Sequence, residues 1–145
     1  MDSSIHHLHN INQWAVLVAA LFQWLLGAAW YSPVLFAKPW MAMIGANPAS
    51  KTPAEIRKGM VAGMLASFLG DLALSFILWH FVAWSGSTTF FHGAFVGSLC
   101  WLGFFIAPNL AQGIYEGRPL KLFAINNGYW FFCLTLAGGL LAIWK

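Results

Sequence analysis

Residues 72–115, LALSFILWHFVAWSGSTTFFHGAFVGSLCWLGFFIAPNLAQGIY, hold no Asp, Glu, Lys or Arg over 44 consecutive positions. A helix crosses about 30 Å of hydrocarbon with roughly 20 apolar residues, so this stretch is too long for one crossing and suits two. It divides at Ser85-Gly86-Ser87-Thr88-Thr89, a run of turn formers with no apolar side chain. Asp71 and Glu116 bound it, and Asp71 itself stands inside an apolar run that begins after Lys58.

Two further uncharged runs lie outside it, between Asp2 and Lys38 and between Lys121 and Lys145. Four helices are therefore predicted, over about residues 12–36, 56–84, 90–114 and 120–144, as one membrane domain spanning residues 1–145. With 60% hydrophobic and only 8% charged residues, a soluble domain of 145 residues would leave far too much apolar surface in water. The fold class expected is an all-α integral membrane protein, a four-transmembrane-helix bundle with the lipid bilayer as its solvent.

Charge sets the expected topology. Lys38, Lys51, Arg57 and Lys58 fall between the first and second helices, and Arg118 and Lys121 between the third and fourth. A four-span chain places those two connections on one side, which the positive-inside rule makes cytoplasmic, with both termini outside and the cell (inner) membrane as location. Residues 1–10 carry no basic cluster, so the first apolar segment lacks the n-region of a cleaved signal peptide. Lys38 to Ile44 is expected to form a short turn in the interface. Thr52-Pro53 with Glu55 three residues beyond Thr52 fits a capping box with Pro at the first helical position. Trp24-Leu25 before Pro33 and Trp101-Leu102 before Pro108 are what a duplicated helix pair would leave, although the spacings differ by two residues.

Other classes find little support. Seven basic residues dispersed over loops make no patch for nucleic acid. Cys100 and Cys133 stand singly in apolar runs, as small buried hydrophobes do. There is no His-Glu-x-x-His, nucleophile elbow or phosphate-binding Gly loop, so neither enzymatic activity nor a cofactor is expected.

The segments GAAWYSPVLFAKPWM (residues 27–41) and WLGFFIAPNLAQGIYEGRPLKLFAINNGY (residues 101–129) resemble the two signature regions of a small membrane family, domain of unknown function 1761. Tyr31-Ser32-Pro33 and Glu116-Gly117-Arg118-Pro119-Leu120 carry the resemblance most specifically. It implies a four-span membrane protein and brings no activity, substrate or functional residue.

The polar residues must therefore be read on their own chemistry. A carboxyl group in mid-membrane is costly unless protonated, paired or hydrated, and usually faces the bundle interior. Asp71 is such a group, and Gly63, Ser67, Asp71 and Ser75 form a four-residue ridge that would let another helix approach closely. Ala19, Gln23, Gly27 and Tyr31 form a matching ridge on the first helix. Tyr31, Ser67, Asn109, Asn126 and Asn127 fall in the cytoplasmic half, with Asp71 and Gln23 deeper, so these seven residues are candidates to line a pocket or ion site. The plainer account is that they hydrogen-bond between helices.

His6, His7, His9, His80 and His92 all fall on the predicted outer side. His80 and His92 are the candidates for an external metal site, but no acidic or thiolate partner accompanies them, and interfacial histidines without a metal are the preferred account. Most tryptophans near helix ends act as belt anchors. Two functional classes follow. The chain is either a structural or accessory membrane protein, with a homo-oligomer expected from its small-residue faces, or a small transporter or channel for a cation, proton or small solute built around Asp71.

Overall fold

A computed structural model describes residues 11–46 and 48–144, and all regular structure among them is helical. Helix α1 spans Gln13–Trp30, α2 Ala37–Met43, α3 Pro53–Trp84, α4 Phe90–Trp101, α5 Ala107–Tyr115 and α6 Leu120–Ile143. Pro48–Ser50 makes a short 3₁₀ turn, and Leu102–Ile106 is a widened π turn joining α4 to α5. His6, His7 and His9 lie outside the described residues.

The helix ends follow local chemistry. Asn12 caps α1 by accepting from the Ala15 N–H at 3.1 Å. The predicted first helix over 12–36 is too long: α1 stops at Trp30 because Pro33 has no N–H to donate and disfavours helical backbone at Ser32. The chain turns through residues 31–36 and enters α2, the short element expected near Lys38. The second helix starts at Pro53, three residues before the predicted 56, through the capping box. Glu55 N–H donates to Thr52 Oγ1 at 3.3 Å, and Thr52 N–H donates to Glu55 Oε2 at 2.8 Å. The Thr52 hydroxyl also donates to Glu55 Oε2, at 2.8 Å. Gly86 and Gly117 take positive φ, 66° and 62°, and close the turns after α3 and α5. The π turn lies directly before Pro108, whose ring crowds the preceding carbonyls and widens the helix there.

Among the described residues three helical stretches, Gln13–Trp30, Pro53–Trp84 and Phe90–Tyr115, are long and apolar enough to cross a membrane. The fourth predicted span, α6, is 24 residues long but more polar, since Lys121, Asn126 and Asn127 interrupt its apolar sequence. It can be so because protein covers it: α6 is the central rod, packed against α1, α3 and α4, and residues on every side of it are buried, from Leu122 to Ala142.

The α4–α6 contact is the closest in the molecule. A methyl group added at Gly93 would fall on the Gly138 carbonyl oxygen, and one at Gly97 on the Leu134 carbonyl oxygen. Ser98 Oγ and Thr135 Oγ1 share a hydrogen bond at 3.0 Å beside this seam. On the other flank, Ala15, Val16 and Ala19 of α1 pack with Leu78, Trp79 and Val82 of α3 and Leu141 of α6. In each hairpin, the tryptophan of the Trp-Leu pair donates its indole N–H to a carbonyl on the following long helix, Trp24 to Met64 at 3.0 Å and Trp101 to Asn127 at 2.8 Å.

Helix α1 runs antiparallel to α3 and α6, and α4 antiparallel to α6, so that α3 and α6 run parallel. The pairs Trp24 with Met64 and Gln23 with Ser75 require the first, Tyr31 with Asn126 and Gln23 with Tyr129 the second, and Gly93 with Gly138 and Gly97 with Leu134 the third. The 31–52 and 116–119 connections therefore share one end of the bundle, and Ser85–Thr89 lies at the other.

Candidate functional site

At the end that carries the basic connections the bundle is not filled. From Pro53 through Ser67 every residue of α3 is exposed, and so is α5 except Gly113. Trp24 holds this half of α3 to α1, edge-on to Phe68 with ring centroids 6.2 Å apart. Between the two loosely held helices, with α1 and α6 as back wall, lies a cavity of about 1180 Å³.

Its polarity is graded from mouth to floor. Asn109, Gln112 and Arg118 stand at the mouth, opposite Ser67 and Gly63, and all of them are exposed. Tyr31 and Asn126 are half-buried further in, joined by a Tyr31 Oη to Asn126 Oδ1 hydrogen bond of 3.1 Å. Asp71, Asn127 and Tyr129 line the inner end, where Asp71 is 3% and Asn127 5% exposed. The apolar lining is aromatic and thioether-bearing, with Trp24, Met60, Met64, Phe105, Trp130 and Phe123 among it. Tyr129 stacks on Trp130 and meets Tyr31 edge-on, at centroid distances of 4.8 and 5.5 Å.

Electrostatics at the two ends differ. At the mouth Gln112 Nε2 donates to Glu116 Oε1 at 2.6 Å and Arg118 pairs with the other carboxylate oxygen. The Gln112 bond and then Arg118 hold the Glu116 carboxyl below its ordinary range, and the Arg118 guanidinium is ion-paired there. Among the described residues three buried side-chain oxygens have no hydrogen-bond partner, Asp71 Oδ2 and Asn127 Oδ1 at the floor and Gln23 Oε1 behind it. The Asn127 amide is turned the other way, donating to the Phe123 carbonyl at 2.9 Å. Most buried polar atoms in proteins are paired, so each exception calls for an explanation.

Of the seven residues singled out from the sequence, Asp71, Tyr31, Ser67, Asn109, Asn126 and Asn127 line this one cavity. Gln23 does not. It is fully buried behind the floor, where its Nε2 donates to Ser75 Oγ at 2.6 Å and its backbone carbonyl accepts from Tyr129 Oη at 3.3 Å. Its place is a tie between α1, α3 and α6. The ridge Gly63-Ser67-Asp71-Ser75 also differs from expectation: only Ser75 meets another helix through a hydrogen bond, while a methyl at Gly63 would touch nothing within 4 Å. The small residues open a wall instead of seating a helix.

Sequence reasoning missed Arg118 and the aromatic wall as lining, and missed the glycine seam. The seam had a signal, since Gly93 and Gly97 form a small-xxx-small pair. His80 and His92 do not enter the cavity. His80 Nδ1 lies 2.8 Å from the Phe76 carbonyl one turn back, and its ring is boxed by Phe76, Trp79 and Trp84. Among the described residues no three of His, Cys, Asp and Glu gather as a metal site would require.

No curated protein and no solved structure matches the chain. The model of the family described as "Protein of unknown function (DUF1761)" matches residues 14–142, nearly the whole length. With a match of that extent, over the same Tyr31-Ser32-Pro33 and Glu116–Leu120 segments that the sequence singles out, the chain belongs to the DUF1761 family.

Proposed function

We propose that this is a membrane protein of four spans that takes a small solute into the cavity between α3 and α5, in the manner of a small carrier, with the cavity mouth on the cytoplasmic side of the cell membrane. The single observation that carries this is the buried, unpartnered Asp71 oxygen at the floor of a 1180 Å³ opening. Gln23 Oε1 is likewise buried without a partner, but Gln23 is bonded between helices through its Nε2 and lies off the cavity, whereas Asp71 is an acid that lines it. A cavity of about 1180 Å³ exceeds what a proton or a bare ion needs and lies just above the usual span of small-molecule sites, roughly 300–1,000 Å³.

The fourth span in this proposal is α6. At about 1.5 Å per residue its 24 residues reach some 36 Å, sufficient for the hydrocarbon core, and the polar Asn126-Asn127 pair faces α1, α4 and the cavity, not lipid. The direction follows from Lys38, Lys51, Arg57, Lys58, Arg118 and Lys121 gathered at the mouth end.

Single cysteines test both parts, read with a membrane-impermeant maleimide in inverted and right-side-out vesicles. Ser67→Cys and Asn109→Cys are expected to react from the cytoplasmic face and Gly86→Cys from the opposite face, while the native Cys100 and Cys133 are buried and stay silent. Labelling of Asn109→Cys and Gly86→Cys from one face would remove the topology, and protection of Ser67→Cys from both faces would remove the cavity.

A further inference from the structure

Granting that the cavity holds a solute, its lining restricts what the solute is: the geometry points to an amphipathic organic ammonium compound, its N–H groups at Asp71 and Asn127 and its apolar body along the aromatic wall toward the mouth.

Three observations converge on this class. The free polar atoms at the floor, Asp71 Oδ2 and Asn127 Oδ1, are both acceptors, so the group that meets them must bring donors. Among the described residues Asp71 is also the only acidic side chain lining the cavity, and the one basic side chain there, Arg118, is at the mouth and paired with Glu116. A carboxylate at the inner end of a low-dielectric cleft favours a cation and rejects an anion. A bare metal ion fits poorly, because hard cations want six or more oxygen ligands and the floor offers two free ones. An ammonium group carries three donors on one centre and is satisfied by two or three acceptors.

The wall fixes the rest of the molecule. Tyr129, Trp130, Trp24, Phe105 and Met64 share the lining with Asp71. Aromatic faces attract a cation within about 6 Å of the ring centroid, and the same rings with thioethers bury an apolar body without a fixed shape. A solute polar throughout would leave this wall uncovered. Ser67, Gly63 and Gly70 on the α3 side add width without adding charge.

Phenethylammonium is the natural probe, with 2-phenylethanol as its neutral counterpart, phenylacetate as its anionic one, and Na⁺ alone. Binding would be measured calorimetrically to protein in lipid nanodiscs, with empty nanodiscs subtracted. The amine is expected to bind saturably, at least tenfold more tightly than the alcohol, with no heat from phenylacetate or Na⁺. Asp71→Asn, which keeps the shape of the side chain, is expected to lose that tenfold preference. Ser67→Lys supplies a second variant that does not touch the buried floor: one turn before Asp71 on the same face, its own ammonium is expected to occupy the carboxylate and abolish amine binding. Equal affinity for alcohol and amine, unchanged amine affinity in both variants, or no saturable binding of the amine to the wild type would each overturn the ligand class. Cysteine labelling at Ser67 and Asn109 then says separately whether the cavity itself survives, so the two failures are distinguishable.

Discussion

Gly97→Leu is expected to destabilise the native bundle by about 3 kcal/mol, while the same change at Gly63, 34 residues earlier in an equally apolar helix, is expected to leave it at least as stable as the wild type. At Gly97 even a Cβ would collide with the Leu134 carbonyl, and at Gly93 with the Gly138 carbonyl and the Ala142 methyl. The carbonyls are backbone atoms of α6 and the methyl is fixed to that backbone, so none can rotate aside and α4 and α6 must separate. Overpacking a well-filled site costs about 1–3 kcal/mol and occasionally more. Here the separation also removes the Ser98–Thr135 bond and the Trp101 bond to the Asn127 carbonyl, so the upper end of that range is expected. Gly63 faces open space, and replacing a helical Gly removes a backbone entropy cost of about 1 kcal/mol. Thermal unfolding in detergent, with monodispersity on size exclusion, checks the pair. A Gly97→Leu protein that unfolds with the wild type would mean that α4 and α6 are not sealed by glycine.

The contrast between those glycines also explains what could be read from the sequence. The helices themselves follow from the uncharged runs and the Ser85–Thr89 break, and the Thr52–Glu55 box and the turn at Lys38 from short-range chemistry that involves only neighbours in the chain. Six of the seven pocket candidates share the cavity because depth along a helix is counted directly from the sequence. Rotation about a helix axis is not. Both Gly63-Ser67-Asp71-Ser75 and Gly93-Gly97 are small-residue ridges, and nothing local says which meets a partner helix and which faces a void. That is decided by long-range packing of α6, whose Gly138 lies 41 residues from Gly97. Gln23 failed as a lining residue for the same reason: its depth agrees with that of Asp71, but its azimuth directs it to Ser75. The end of α1 at Trp30 was a different matter, since Pro33 was in plain view and outweighed the apolar run Val34-Leu35-Phe36 that extended the prediction to residue 36.

Asp71→Leu separates the two functional classes most cleanly, because they predict opposite signs. Where a buried polar group holds helices together, removing it leaves partners unsatisfied and destabilises the fold, by about 1–3 kcal/mol per orphaned group. Asp71 Oδ2 has no partner to orphan. The cost of burying it is already present in the unliganded protein, and an apolar side chain of similar volume relieves it, as happens when buried charged groups are replaced by well-packed hydrophobic ones. Leucine also suits the neighbourhood, since Leu74 and Tyr129 line the same inner end of the cavity. Asp71→Leu is therefore expected to raise the unfolding free energy by about 1–3 kcal/mol while eliminating binding of any cationic solute. Functional sites commonly hold such a trade of stability for activity. The measurement is unfolding of Asp71→Leu beside the wild type in the same lipid, with phenethylammonium titrated into each. A variant less stable than the wild type would assign Asp71 to helix joining and favour an accessory role. A variant more stable but unresponsive to the amine leaves the buried carboxyl with no purpose except its ligand.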